Sequence, residues 1–141
     1  MKRHETLAPL SREHHAALIL AQLLKINAPA YKGLPENTED KAVYAANFYI
    51  ENLQKHFLQE EILLEKVKEY HSEIKKLAAE IINEHQQLKI IFTSLDKSEN
   101  LAATLDVLGR ALENHIRKEE RVLFPLIQKY CPEDIMNGIV L

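Results

Sequence analysis

Two stretches of this chain repeat one pattern. His56-Phe57-Leu58-Gln59-Glu60-Glu61-Ile62-Leu63-Leu64 reads H-x-x-x-E-E-x-x-L, and so does His115-Ile116-Arg117-Lys118-Glu119-Glu120-Arg121-Val122-Leu123. On a helix, residues four apart are separated by about 40° around the axis and about 6 Å along it. Each copy therefore presents an imidazole beside a carboxylate. Two such helices facing each other make a box of nitrogen and oxygen donors, and such a box is suited to holding metal ions.

The segments that must position these residues are bounded by capping and breaking residues. Ser11 is a candidate cap for a first helix over about 11–27. Pro29, Gly33 and Pro35 mark a connection. Thr38 can cap a second helix over about 39–69, and Ser72 a third over about 73–95. A fourth runs over about 100–130, and the tail from Glu133 adds a short turn packed through Ile135, Met136 and Ile139. Short turns between the later helices make antiparallel neighbours. The pattern predicts an all-α, up-down-up-down four-helix bundle, one domain over 1–141.

Apolar stripes carry the polar residues inward. The stripes read Leu10, His14, Ala17, Ala21, Leu24; then Ala46, Tyr49, Leu53, His56, Glu60, Leu63, Val67; then Ile74, Leu77, Ile81, His85, Leu88, Phe92, Leu95; then Leu101, Leu105, Leu108, Leu112, His115, Glu119, Val122, Leu126. Each seam holds a histidine, and the second and fourth add a glutamate. Glu61 and Glu120, five residues after their histidines, fall roughly 140° away and are expected to face outward. A lone histidine on an apolar face is usually a core residue, and one i,i+4 pair means little. Six such groups on four inner faces would cripple folding unless something compensates them. A dinuclear metal centre does so, with ionised carboxylates and neutral imidazoles.

The donor types narrow the metal. No thiolate falls at the site, which excludes cysteine-type structural zinc, and the donors are not all oxygen, which argues against calcium and magnesium. Imidazole with carboxylate suits iron or manganese, with zinc as a substitute. Two carboxylates suffice to bridge two metals roughly 3.5–4 Å apart.

Composition bounds the rest. The 141 residues are 46% hydrophobic and 28% charged, enough for one real core. A net charge of −3 without a basic patch argues against nucleic acid. No apolar run is long enough for a membrane span, and the first residues have no apolar signal core. The single cysteine, Cys131, excludes an internal disulfide and points to a reducing cytoplasm. Cys131 reads as a bystander, Tyr49 as a core filler beside the site, and His4 and His71 as solvated. No Ser/His/Asp arrangement or phosphate loop is present.

The chain resembles the hemerythrin-like family, the HHE cation-binding domain. The resemblance is carried by Glu13-His14, by His56 with Glu60, by Glu84-His85, and by His115 through Pro125, H-I-R-K-E-E-R-V-L-F-P, and it spans nearly the whole chain. It implies a non-haem site of two iron ions. His14 and His56 would serve one, His85 and His115 the other, and Glu60 and Glu119 would bridge them. Pro125 matches the proline after the family's motif and implies a bend in the fourth helix. His14 and His15 compete for the first-helix position. Leu10 and the preceding Glu13 favour His14, and Leu18 favours His15. Oxygen-carrying hemerythrins have a second histidine on the third helix, where this chain has Ile81 and Lys89. The resemblance thus implies a centre that binds or reacts with O2, NO or peroxide ahead of reversible oxygen carriage. Iron storage or donation, or a peroxidase- or catalase-like enzyme, is the alternative, and a metal-free interaction bundle is the bland reading.

Overall fold

A computed structural model describes residues 2–141, and among them there is no strand. Helix α1 covers Ala8–Leu24, α2 Thr38–Phe48, α3 Gln54–Val67, α4 Ser72–Thr93, α5 Leu101–Lys118, α6 Phe124–Tyr130 and α7 Glu133–Asn137. A π-helical turn, Tyr49–Leu53, joins α2 to α3, and a second, Glu119–Leu123, joins α5 to α6. The first rod is α1, the second α2 with α3, the third α4, and the fourth α5 with α6. They form the expected up-down-up-down bundle.

The starts of the rods differ from expectation by a few residues. The first helix begins at Ala8, with Pro9 in its first turn, where a missing N–H is harmless. Ser11, expected to cap it, lies inside it. Asn37, not Thr38, caps α2, accepting from the Asp40 N–H at 2.8 Å. Similarly, the His71 Nδ1 accepts from the Glu73 N–H at 3.1 Å and replaces Ser72 as the cap of α4. The His71 ring also stacks on Tyr130, 3.9 Å between centroids. His4 is tied down as well. Its Nε2 lies 3.1 Å from Glu133 and its Nδ1 accepts from the Thr6 N–H at 3.0 Å, which fastens the N-terminal segment to α7.

The π turns change the phase of the stripes. Such a turn, bonded i to i+5, holds one residue more than an α-helical turn. In the fourth rod the buried series after Glu119 steps by four to Leu123 and again to Ile127, and Val122, expected inward, is 45% exposed. In the second rod Ala45, not Ala46, precedes Tyr49 and Leu53 in the core. The second π turn also solves the proline problem. The Phe124 N–H bonds the Glu119 carbonyl, and Pro125 then falls in the first turn of a fresh α-helical segment, where a missing N–H is tolerated. The rod continues to Tyr130.

Two apolar clusters fill the ends of the bundle. One gathers Leu20, Leu24, Tyr49, Phe57, Phe92, Leu105, Leu108 and Leu112. The other gathers Leu7, Leu10, Leu63, Ile74, Ile81, Leu123, Phe124, Ile127 and Met136. Gly109 lets α1 and α5 close on one another, since a Cβ there would lie 2.6 Å from the Ala21 carbonyl oxygen. Around the level between the clusters lie the buried polar side chains of the described residues: His14, His56, Glu60, His85, His115 and Glu119.

Candidate metal centre

The six residues expected to form a site converge. His14 comes from α1, His56 and Glu60 from α3, His85 from α4, His115 from α5, and Glu119 from the π turn that follows. His14 Nε2 lies 3.1 Å from Glu60 Oε2 and 3.2 Å from Glu119 Oε1. His56 Nε2 is 3.1 Å from Glu60 Oε2. On the other side, His85 Nε2 is 3.0 Å from Glu60 Oε1, and His115 Nε2 is 3.2 Å from Glu119 Oε1. The donors fall into two groups that share both glutamates: His14, His56, Glu60, Glu119 and Glu60, His85, His115, Glu119. Within each, the donor atoms lie within 4.8 Å of one another. His15 is exposed, which resolves the first-helix competition in favour of burying His14.

Glu61 and Glu120 do not simply face outward. Glu120 Oε2 accepts from His14 Nδ1 at 2.8 Å, and Glu61 Oε2 from His85 Nδ1 at 2.8 Å. Glu13 accepts from His56 Nδ1 at 2.9 Å, and Glu84 from His115 Nδ1 at 2.7 Å. Each glutamate thus serves the histidine of the next rod, and the four pairs close a ring around the bundle. The i+5 phase points Glu61 and Glu120 away from the centre of their own helix, but a glutamate is long enough to reach the imidazole that the neighbouring helix turns toward it. The adjacent letters Glu13-His14, Glu84-His85, Glu60-Glu61 and Glu119-Glu120 were the available signal. Reading each helix alone could not decode them, because every partner lies on another helix.

The ring fixes the imidazole tautomers. A carboxylate only accepts, so each Nδ1 carries a proton, and Nε2 is the atom that can offer a lone pair to a cation in place of a second proton. Glu120 is further held by Ser11 Oγ, at 2.7 Å, and by Arg3 Nη2, at 3.2 Å. Lys118 donates to Glu84. Burial and the His14, Ser11 and Arg3 partners leave Glu120 net below the usual carboxylate range. Burial likewise opposes charge on Glu84, yet His115 and Lys118 bring its carboxyl down to about 2.

Without a cation the centre is short of positive charge. Burial disfavours a charged His14, but Glu119, Glu120 and Glu60 outweigh it and push the imidazole up to about 11. His115 is raised for the same reason, and Glu60 is held well below the usual range by the histidines around it. Protons thus stand where metal cations would. Even so, His56 Nε2, His115 Nε2 and both carboxylate oxygens of Glu119 are buried without a hydrogen-bond partner. Buried polar atoms without a partner are rare and costly. Four of them facing one interior, in a mixed imidazole–carboxylate set, fit a metal centre.

Aromatic rings close the surroundings. Phe57 stacks on His85 at 4.1 Å, and Phe124 on His14 at 5.7 Å. Tyr49 stacks on Phe92 at 5.1 Å and fills the core, as expected. Cys131 is buried, and burial with the nearby Asp134 raises its thiol, so it has no activated thiolate. No helix of the described residues is long and apolar enough to cross a membrane.

No curated protein and no solved structure matches the chain. Residues 4–127 match the family model of the hemerythrin HHE cation-binding domain, a span that contains all four rods' contributions to the cluster and its outer carboxylates. The chain therefore belongs to the hemerythrin HHE cation-binding domain family and is a metal-binding protein.

Proposed function

We propose that the centre holds two iron ions and that, once reduced, it reacts with O2, NO or peroxide instead of carrying oxygen reversibly. His14 and His56 would hold one ion, His85 and His115 the other, with Glu60 and Glu119 shared. Manganese or zinc could occupy the same donors. The observation that carries the reading is the set of four partnerless buried donor atoms between two histidine pairs. Bound iron supplies one-electron redox chemistry toward small oxidants. The chain's part is to hold four imidazoles as Nδ1–H tautomers, to keep Glu60 ionised, and to exclude bulk water with Phe57 and Phe124. The third rod gives one histidine, with buried Ile81 a turn before and exposed Lys89 a turn after, so one ion would have fewer protein donors and room for a small molecule. The lone cysteine supports a reducing compartment, the cytoplasm.

The test is anaerobic reconstitution with ferrous iron, elemental analysis, and then O2, NO and peroxide in turn. Two irons per chain and oxidation that argon sparging does not reverse are expected. One ion or none defeats the dinuclear reading, and clean return to the colourless reduced state defeats the reactivity.

A further inference from the structure

A cavity of about 490 Å³ lies apart from the metal cluster, bounded by α2 and the π turn after it, by the end of α4, and by the α4–α5 connection. No residue of the cluster lines it. Small side chains on α2 make the room. Ala42 and Ala46, one turn apart, share the lining with Phe92 and Leu95, and a larger side chain at either alanine would fill the gap. Tyr49 and Phe92, stacked at 5.1 Å, are a buried aromatic part of the wall. Val43 and Ile50 also line the cavity and are 61% and 63% exposed. Large apolar side chains in water beside an apolar hollow gain free energy when a ligand covers them. Both the volume and the mostly apolar lining match small-molecule sites, which run to roughly 300–1,000 Å³.

The polar groups decide what kind of molecule fits. The Thr93 hydroxyl donates to the Lys89 carbonyl at 2.7 Å, and the hydroxyls of Ser98 and Thr104 bond each other at 2.6 Å, so Thr93 and Ser98 are already engaged within the chain. Glu39 and Asp96 are the two charged residues of the lining, and among the described residues neither makes an ion pair. No lysine, arginine or histidine lines the cavity. Lys97 follows Asp96 in sequence but is exposed, is not part of the lining and makes no ion pair with it. The cleft beside His85 holds Glu61 and Lys89 together and has no net sign; this cavity is negative.

We propose that this cavity binds a small lipophilic amine, with an apolar body of one or two rings against Tyr49, Phe92, Val43 and Ile50 and a cationic head beside Glu39 and Asp96. Burial of the body supplies the affinity, and the two carboxylates select the sign of the head. A carboxylate head would meet two like charges. A neutral head would gain the burial without the ion pairs. The site is independent of the metal centre and of the chemistry proposed for it.

The test titrates naphthylmethylamine, naphthalenemethanol and naphthylacetate into the full chain and follows naphthalene fluorescence, which no tryptophan of this chain obscures. The amine is expected to bind best, the alcohol roughly tenfold more weakly and the acetate more weakly still. The differences should shrink at about 1 M salt, where the screening length falls to about 3 Å. Glu39→Gln and Asp96→Asn, both at exposed positions, should each weaken the amine roughly two- to fivefold and leave the alcohol unchanged. Glu73→Gln, an equal charge change on an exposed residue at the other end of α4, should alter neither. Ala46→Phe should abolish binding of all three probes while helix content by circular dichroism stays that of wild type. Equal affinities for the three probes, or an amine affinity untouched by both carboxylate variants, overturns the proposal. Binding that survives Ala46→Phe puts the probe elsewhere and overturns the site, as does the absence of binding by any probe. Self-association of the chain that excludes the amine would assign the cavity to a second copy and overturn the small-molecule reading. None of these outcomes bears on the metal centre.

Discussion

The two halves of the centre are built from the same parts. The first and second rods give Glu13-His14 and His56-x-x-x-Glu60-Glu61; the third and fourth give Glu84-His85 and His115-x-x-x-Glu119-Glu120. Inside, the halves match: two imidazoles, two shared carboxylates, and a glutamate on every Nδ1. Outside, they differ. His56 faces a cavity of about 90 Å³ lined by Glu13, and His85 a cleft of about 280 Å³ lined by both Glu61 and Lys89. The bracing of the outer carboxylates follows a different division. Glu120 and Glu84 have cationic partners, whereas Glu13 and Glu61 are more exposed and have none among the described residues. The repeated motif makes the interior, and residues outside the motif make the two sides unequal in access and in stiffness.

The largest expected effect breaks the shared interior. Glu60→Gln or Glu119→Gln removes a carboxylate common to both donor groups and should take metal content well below that of wild type. Metal present at about a thousand times its dissociation constant stabilises a fold by about 4 kcal/mol. Losing it should lower the metal-loaded melting temperature by roughly 10 °C or more. Metal analysis and calorimetry on the same samples check this, and unchanged metal content would show that the glutamates are not shared donors.

Next come the outer carboxylates, which sharpen the comparison. Partners of a ligating imidazole typically contribute 10- to 100-fold to metal affinity. Glu120→Gln and Glu84→Gln, the braced pair, should fall toward the upper part of that range. Glu13→Gln and Glu61→Gln should fall toward the lower part, because solvent already competes for them. Competition with a chelator of known affinity measures the order. Equal losses at all four would mean that bracing is irrelevant.

The metal-free and metal-loaded proteins should also respond oppositely to pH. In the metal-free fold His14 is raised from 6.5 to about 11. Its stabilising contribution is therefore complete below 6.5 and lost as pH rises through about 11. Metal must displace those protons, so metal affinity should rise with pH over the same window. Melting curves with and without metal between pH 6 and about 11 should diverge, and parallel curves would contradict the exchange of protons for cations.

The smallest effect concerns the braces. Lys118→Met and Arg3→Met each remove a partly exposed ion pair and should lower stability by about 1 kcal/mol or less. Because Glu84 is held at about 2, the Lys118 contribution is present above pH 4.5 and fades as pH falls toward 2. A loss of Lys118 that mattered equally at pH 2.5 and pH 7 would remove that assignment.

Much of this molecule is legible along the chain, because helices write their packing into a local period. The stripes placed His14, His56, Glu60, His85, His115 and Glu119 on inner faces, since a buried face recurs every 3.6 residues whatever it packs against. Three features needed the tertiary structure. The π turns at Tyr49–Leu53 and Glu119–Leu123 add one residue to a turn, so a fixed period sends Val122 inward and Leu123 outward, the reverse of what occurs. The roles of Glu61 and Glu120 depend on the histidine of the adjacent rod, and helical phase describes a residue's direction from its own axis, not what a neighbouring helix brings within 2.8 Å. The cleft beside His85, like the cavity beside His56, is a shape left between rods, and no single helix's period encodes it. Sequence determined which side chains turn to the interior; the packing of one helix against the next decided how those side chains pair and where the surface opens to them.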